Sequence, residues 1–303
     1  MIYFLTVNYY STNEIEQLIK SIQLSGDIPY HIVIVNNSPD DCYIHLLKSE
    51  TVLILESGTN LGFGNGCNLG LNWIYAQNSQ AIVWLINPDA YLTPNSLEKI
   101  ESFFNQFPEV SILGTAIYTP DGKSWFAGGS FIRQTGAILT LDSLTGESGQ
   151  LHAPPFNGRE RLTSDTYVNC DWVSGCSLII NLPKFPECPQ FDPAYFLYYE
   201  DFDFCRRYAT KGHVIGITKQ LSVVHQPSTI TNRNKFKKYQ YSTYSYLITL
   251  ERYTNNLILI MRLTRLIAYA LILIGMQPKV AFGKLYGVLI YLRHRCHLGV
   301  TTN

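Results

Sequence analysis

The densest chemistry in this chain lies at residues 195–207, where YFLYYEDFDFCRR runs from aromatics straight into Glu200, Asp201 and Asp203. Carboxylates this close repel one another, so they imply a metal, a cationic partner or a proton-transfer task. The same acids also suit a helix N-terminus, where negative charge is favourable by about 0.3–1 kcal/mol. On this stretch alone both uses stand. The aromatic run reads as a strand with alternate side chains in a core, and Asp203 and Arg207 read as an i,i+4 ion pair on the helix that follows.

A second acid lies far upstream. Residues 81–90, AIVWLINPDA, read as a buried strand broken at Asn87-Pro88 that delivers Asp89 at its C-terminal end. Ligands bind at that end of open α/β sheets, although a plain Asn-Pro turn has the same look. A strand at 221–224 delivers His225 in the same way, at a strand end that a satisfied core histidine also fills. Residues 60–70, NLGFGNGCNLG, contain Gly62-Phe63-Gly64. A dinucleotide fingerprint puts its glycines after the first strand, with an acid about twenty residues on, whereas here Asn8-Tyr9-Tyr10-Ser11 occupies that turn. What remains is a Gly-rich loop that either admits phosphate at a helix N-terminus or is a structural turn.

Positioning these groups requires a sheet. Residues 2–8 read as a strand, Ser11-x-x-Glu14 as a capping box, and Ile15, Leu18, Ile19 and Ile22 as the apolar stripe of a helix stopped by Gly26. A strand at 31–35 and a polar turn at 36–40 complete a βαβ unit, which favours parallel pairing. The pattern continues with a strand at 52–55, a helix at 69–76, a strand at 82–86, a helix capped by Thr93 with Pro94 first, and a strand at 111–118. Residues 119–168, rich in Gly, Ser, Thr and Pro, read as loops and short strands; core sequence resumes at 171–175. A helix ends at Gly212, and strands follow at 214–217 and 221–224.

The length of 303 residues, with 46% hydrophobic and 13% aromatic content, allows one large or two medium domains and excludes a disordered chain. A net charge of zero hides a division. Residues 1–225 hold 12 Lys+Arg against 22 Asp+Glu, and residues 226–303 hold 11 against 1. The seven cysteines form no C-x-x-C pair and read as reduced thiols of a cytoplasmic protein. MIYFLTVNYY has no basic residue before its apolar run and reads as a strand, not a cleaved signal.

From residue 257 onward there are six Lys+Arg and no acid, with the run LILIMRLTRLIAYALILIGM at 257–276. Its eleven Leu and Ile contribute roughly −0.3 to −0.6 kcal/mol each, and two near-central arginines cost roughly +2.5 to +3.5 each, so insertion comes out near zero. The run therefore reads as an amphipathic helix in the membrane interface, with arginines reaching anionic headgroups. Packing on the preceding α/β body or on a partner copy, as a homo-oligomer, is the alternative. Cations interleaved with aliphatics exclude a nucleic-acid partner.

Taken in order, LTVNYY, IVNNSPDD, NLGFGNGCNLG, INPDA, DWVSGCSLII, FLYYEDFDFCRR and VVHQ resemble the family 2 glycosyltransferases of GT-A fold, in their rhamnosyltransferase-like and galactofuranosyltransferase-like branch. The resemblance covers about residues 2–230. It implies an α/β fold with a Rossmann-like, mostly parallel sheet, a catalytic domain at 1–230 divided into a nucleotide-binding half (1–118) and an acceptor and catalytic half (119–230), and a helical, membrane-associating tail at 231–303. Val7, Asn8, Asn36 and Asn37 would surround base and ribose, with Asn60, Gly62, Asn65 and Asn87 completing the nucleotide site. Asn36 departs from the acid commoner at its position. Asp89 matches the last acid of the family's Asp-x-Asp position and would bind Mg2+ or Mn2+ on the donor diphosphate, with His225 as a further ligand. Asp201 would be the general base and Glu200 its orienting partner; Trp172, Ser174, Gly175 and Tyr199 would contact the acceptor or the sugar.

The expected protein is thus an inverting, metal-dependent transferase that uses a dTDP- or UDP-sugar, dTDP-rhamnose foremost. It would act on a glycan or lipid-linked acceptor in cell-surface polysaccharide synthesis, peripheral to the inner face of the cell membrane. A sugar nucleotidyltransferase would carry a basic Gly-rich loop where LTVNYYSTNE stands. A non-catalytic sugar-nucleotide-binding, membrane-docking module is a further alternative, because Asp89 lacks a second acid nearby, and a dinucleotide-dependent oxidoreductase is the last.

Overall fold

Seven consecutive buried residues open the chain as β1 (Ile2–Asn8), and the amphipathic helix α1 (Thr12–Gln23) returns it to β2 (Tyr30–Asn36), which pairs with β1 in parallel from Ile2↔Tyr30 to Asn8↔Asn36. The structure is a computed structural model that describes residues 1–141, 166–226 and 231–300, apart from the side chains of 231, 232 and 297–300. Among the described residues the chain forms two compact units. One comprises 1–130, 139–141, 166–193 and 201–226; the other comprises 131–138, 194–200 and 231–300.

The first unit continues through β3 (Val52–Glu56), α2 (Phe63–Gln77), β4 (Ile82–Ile86), β5 (Ala90–Leu92), α3 (Ser96–Gln106), β6 (Val110–Tyr118) and β7 (Ser124–Phe126). A hairpin of β8 (Gly129–Ile132) and β9 (Ala137–Thr140), whose residues 131–138 belong to the second unit, precedes β10 (Tyr167–Asn169), β11 (Ser177–Asn181), α4 (Glu200–Thr210) and β12 (Val214–His225). The main sheet runs β10-β12-β6-β11-β4-β1-β2-β3, with β5 beside β12 and β7 beside β6. β3, β2, β1 and β4 are mutually parallel, as are β6 and β12, while β11 is antiparallel to both β4 and β6. Along that path only β11 and the outermost β10 are reversed.

This inversion positions the site. The ends of β1, β2, β4 and β12 share one edge with the start of β11, because Ser177 is paired with Ile86. Trp84 anchors the middle of the sheet: it is fully buried, stacks on Phe4 at 5.4 Å between ring centroids, and donates its indole N–H to Ser177 Oγ at 2.9 Å. Each large apolar side chain buried in this way contributes about 1.5–3 kcal/mol.

Several local expectations are corrected. The helix expected at 69–76 starts at Phe63, so most of the Gly-rich stretch is helix rather than loop. A Cβ at Gly66 would lie 3.0 Å from Val7, and one at Gly70 would collide with Leu5; these glycines let α2 lie close on β1. No capping box forms at Ser11, whose hydroxyl donates to Asn8 Oδ1 at 3.0 Å. The helix expected after Thr93 begins at Ser96, since the Thr93 hydroxyl donates instead to the Ser222 carbonyl at 3.1 Å. The strands expected at 214–217 and 221–224 are one strand with a register shift between Thr218 and Ser222. Within residues 119–168, positions 142–165 lie outside the described residues.

The second unit holds α5 (Lys235–Tyr253), α6 (Asn256–Ile272) and α7 (Pro278–Val300). Its core gathers Tyr195, Leu247, Leu250, Leu259 and Tyr291. Side-chain oxygens of Asn234 and Asn255 cap α5 and α6. A Cβ at Gly283 or Gly287 would lie 2.6 Å from the carbonyl of Phe236 or Gln240, so these glycines let α7 pack close on α5. The apolar run 257–276 leaves helix after Ile272, its last four residues forming the turn after α6, and among the described residues no helix is long and apolar enough to cross a membrane. The aromatic stretch 195–199 is not a strand: Tyr198 and Tyr199 have φ of 71° and 65°. Such left-handed backbone costs about 1–3 kcal/mol per residue and concentrates at functional positions; here it leads into Glu200.

Candidate active site

Asp89 leaves the end of β4 through the turn closed by Ala90 N–H on Asn87 O, and His225 is the last residue of β12. β5 pairs antiparallel with β12, His225 opposite Ala90, and Gln226 N–H donates to Asp89 O at 3.0 Å. The two side chains therefore meet, with Asp89 Oδ1 3.2 Å from His225 Nε2, both of them buried. Trp125 stands edge-on to the imidazole, 4.8 Å between centroids, and His225 Nδ1 has no hydrogen-bond partner among the described residues.

This pair fits a hard divalent cation. Adjacent ligands at about 2.1 Å on an octahedral ion lie about 3 Å apart, near the observed separation. Among the described residues no group of three His, Cys, Asp or Glu side chains gathers anywhere. A cation here would take its remaining oxygens from a ligand's phosphates and water, as Mg2+ and Mn2+ commonly do.

Asp201 reaches the same edge at the residues that lead into β11. Its Oδ2 accepts the Gly175 N–H at 2.9 Å, and its Oδ1 accepts the Phe202 N–H at 2.8 Å. Burial pushes the carboxyl above the usual aspartate range, and those backbone donors oppose the shift. Gly175 fits closely: a Cβ there would lie 3.1 Å from the Phe63 ring and 3.4 Å from Asp201 Cβ. The next residue, Cys176, accepts the Asn87 N–H on its carbonyl at 3.0 Å. Its thiol is pushed well up by burial and by the nearby charges of Asp89 and Asp201. The two acids thus flank one buried residue, although 112 positions separate them in sequence.

Helix α4 is clamped by charge. Arg206 bonds Asp171 Oδ1 at 2.7 Å, both mostly buried, and Arg207 bonds Asp203 Oδ2 at 2.6 Å and the Gln190 carbonyl at 2.8 Å. The first pair was not anticipated from sequence; the second is the expected i,i+4 pair. Arg206→Ala removes one partner of this mostly buried ion pair, and is expected to cost about 3–5 kcal/mol in urea-induced unfolding.

The expected nucleotide residues line the ends of β1 and β2. Val7, Asn8, Asn36 and Asn37 are all buried. Asn8 Nδ2 donates to Asn36 Oδ1 (2.9 Å) and Asp41 Oδ2 (3.0 Å), and its Oδ1 accepts from Ser11 N and Oγ. Asn36 Nδ2 donates to both Glu56 oxygens (3.2 and 3.0 Å), and its Oδ1 also accepts the Ser38 N–H. Both amides are engaged with protein. Glu56, unnoticed in the sequence, stands opposite Asn36 in the β2–β3 register and is partly exposed, so an acid does lie beside position 36. Asn37 Nδ2 donates to Gly62 O at 2.8 Å, Asn60 Oδ1 accepts the Gly62 N–H, and Asn65 Nδ2 donates to Leu61 O. Gly62, at φ 81°, makes the turn into α2. Tyr9 and Tyr10 expose their rings beyond β1.

Of the remaining candidates, Trp172 packs on Phe126 and Phe202, its buried indole N–H without a partner among the described residues, and Ser174 Oγ accepts the Cys176 N–H. Tyr199 belongs to the second unit, where its ring contacts Tyr246. Glu200, first residue of α4, is buried.

The profile of the family described as Glycosyl transferase family 2 matches residues 4–173. N-acetylglucosaminyl-diphospho-decaprenol L-rhamnosyltransferase of Mycobacterium tuberculosis (strain CDC 1551 / Oshkosh) is 25% identical over 249 residues, 75% of this chain and 76% of its own. Rhamnosyltransferase WbbL of Escherichia coli (strain K12) is 22% identical over 260 residues, covering 82% and 92%. Among solved structures, GalNAc-T7 with UDP, GalNAc and Mn2+ superposes with a TM-score of 0.58 at 14% identity, over 83% of this chain and 47% of that one, so this chain spans about half of its length. The mannosyltransferase PcManGT of Pyrobaculum calidifontis, in complex with GDP-Man and Mn2+, gives 0.52 at 11% identity, covering 96% and 86%.

Proposed function

Because this chain belongs to glycosyltransferase family 2 and has the GT-A fold, we propose that it transfers rhamnose or a similar hexose, with inversion, from a nucleoside diphosphate donor to a hydroxyl of a glycan or lipid-linked saccharide. The observation that carries this reading is the convergence of Asp201 and the Asp89–His225 pair on Cys176 and its neighbours at one sheet edge. The name of the mycobacterial relative includes a decaprenyl diphosphate, which supports a lipid-linked acceptor.

Asp201 acts as general base. It takes the proton of the acceptor hydroxyl as that oxygen bonds to the anomeric carbon, the bond to the diphosphate breaks, and the nucleoside diphosphate departs with the electron pair. The Gly175 and Phe202 N–H groups hold the carboxylate in place, and Glu200 orients acceptor or base. Asp89 and His225 would hold a divalent cation, which would offset the charge gathering on the departing diphosphate. At the other end of the site Asn8, Asn36 and Asn37 shape the nucleotide pocket, and Glu56 offers an acceptor-only carboxylate to a base N–H.

The test is thermal denaturation of the full chain with UDP, dTDP, GDP or NAD, each with and without Mn2+. One nucleoside diphosphate should stabilise only with Mn2+, by about 2.7 kcal/mol at a hundredfold excess over Kd. Stabilisation by NAD alone, or by none of the four, overturns the reading.

A further inference from the structure

We propose that the outward faces of α6 and of the turn after it form a docking surface for an anionic lipid bilayer. Helix α6 is apolar on both sides. One side enters the core of the second unit through Ile258, Leu259 and Ala270. The other presents Leu257, Ile260, Met261, Leu271 and Ile272 to solvent at 53–76% exposure, and Met276 follows at 75%. At 100° per residue, Leu257, Ile260, Thr264, Ala268 and Leu271 lie along one stripe. The single polar group in that stripe is turned inward, since the Thr264 hydroxyl donates to Ile260 O at 2.9 Å. An exposed apolar stripe of this length calls for an apolar partner, and among the described residues this side has none. Helix α7 adds exposed Phe282, Tyr286, Leu289 and Leu292, spaced three or four apart on one face.

Charge selects the occupant. Exposed Arg265 lies at the border of the α6 stripe and exposed Lys279 just beyond its turn, and residues 257–303 contain no acid. Side chains of this kind lay their stems on apolar surface and extend their cations to lipid phosphates. A second copy docked through the same face would offer these cations no acid from residues 257–303 to offset them. Among the described residues no helix is long and apolar enough to cross a membrane, so the proposed docking lays the apolar stripe in the interfacial plane.

The experiment is flotation of the full chain with phosphatidylcholine vesicles, either pure or containing phosphatidylglycerol, and it needs neither donor nor acceptor. Its outcome is therefore independent of the transferase reading. Binding should be strong on the anionic vesicles and fall roughly fivefold for each of Arg265→Gln and Lys279→Gln. Ile260→Glu and Ile272→Glu, at exposed positions that leave the core intact, should each weaken it about tenfold or more. Equal binding to both vesicle types, unchanged binding of the Glu variants, or a dimer in solution that those variants dissociate would each overturn the proposal.

Discussion

Asp201→Asn is expected to lower kcat and kcat/KM together by about 10²- to 10⁴-fold, the usual contribution of a positioned general base. Donor binding should survive, because Asp201 is held by Gly175 and Phe202 rather than by the Asp89–His225 pair. The pH profile separates this role from a structural one. A base works only when ionised, and burial raises the carboxyl of Asp201. The acid limb of kcat/KM should therefore lie above the ordinary aspartate value of about 3.9, with activity lost as pH falls through the raised pKa. In the Asn variant that limb should vanish, whereas a purely structural acid would leave it in place.

Asp89→Asn is expected to abolish Mn2+-dependent stabilisation by nucleoside diphosphate and to reduce turnover about 10³-fold, since a cation on the leaving group contributes several kcal/mol. The amide keeps the size of the carboxylate but removes its charge, and the backbone clamp between Asp89 O and Gln226 N–H stays intact. The fold should persist. His225→Gln should follow the same direction with a smaller effect, because it removes one of two ligands and leaves the charge. Titration calorimetry of Mn2+ and nucleotide on the three proteins reads this order directly.

Sequence reasoning located the strand ends well because the signals there are local. β-branched runs interrupted by Asn8-Tyr9-Tyr10-Ser11, Asn36-Asn37 and Asn87-Pro88 marked Asn8, Asn36 and Asp89 at the sheet edge where they stand. The partnership of these groups was not visible. Gly175 reaches the end of β4 only because β11 inserts backwards between β4 and β6, a pairing of residues some ninety positions apart that leaves no periodic trace. Glu56 was missed for the same reason: only the parallel register of β2 with β3 sets it opposite Asn36. Gly66 and Gly70 looked like a loop because glycine signals conformational freedom and close helix packing alike. The left-handed Tyr198-Tyr199 pair broke an expected strand at a place where residue type argues for one.

The most direct measurement is acceptor-dependent release of nucleoside diphosphate from dTDP-rhamnose and UDP-sugars, with Mn2+ and a polyprenyl-diphosphate-linked sugar as acceptor. Wild type should release nucleotide from one donor only when the acceptor is present, and the Asp201→Asn protein should release none while retaining Mn2+-dependent nucleotide binding. Turnover by Asp201→Asn at the wild-type rate, or no turnover by wild type of a donor whose nucleotide it binds, would contradict the assignment of Asp201 as the base of a sugar transferase.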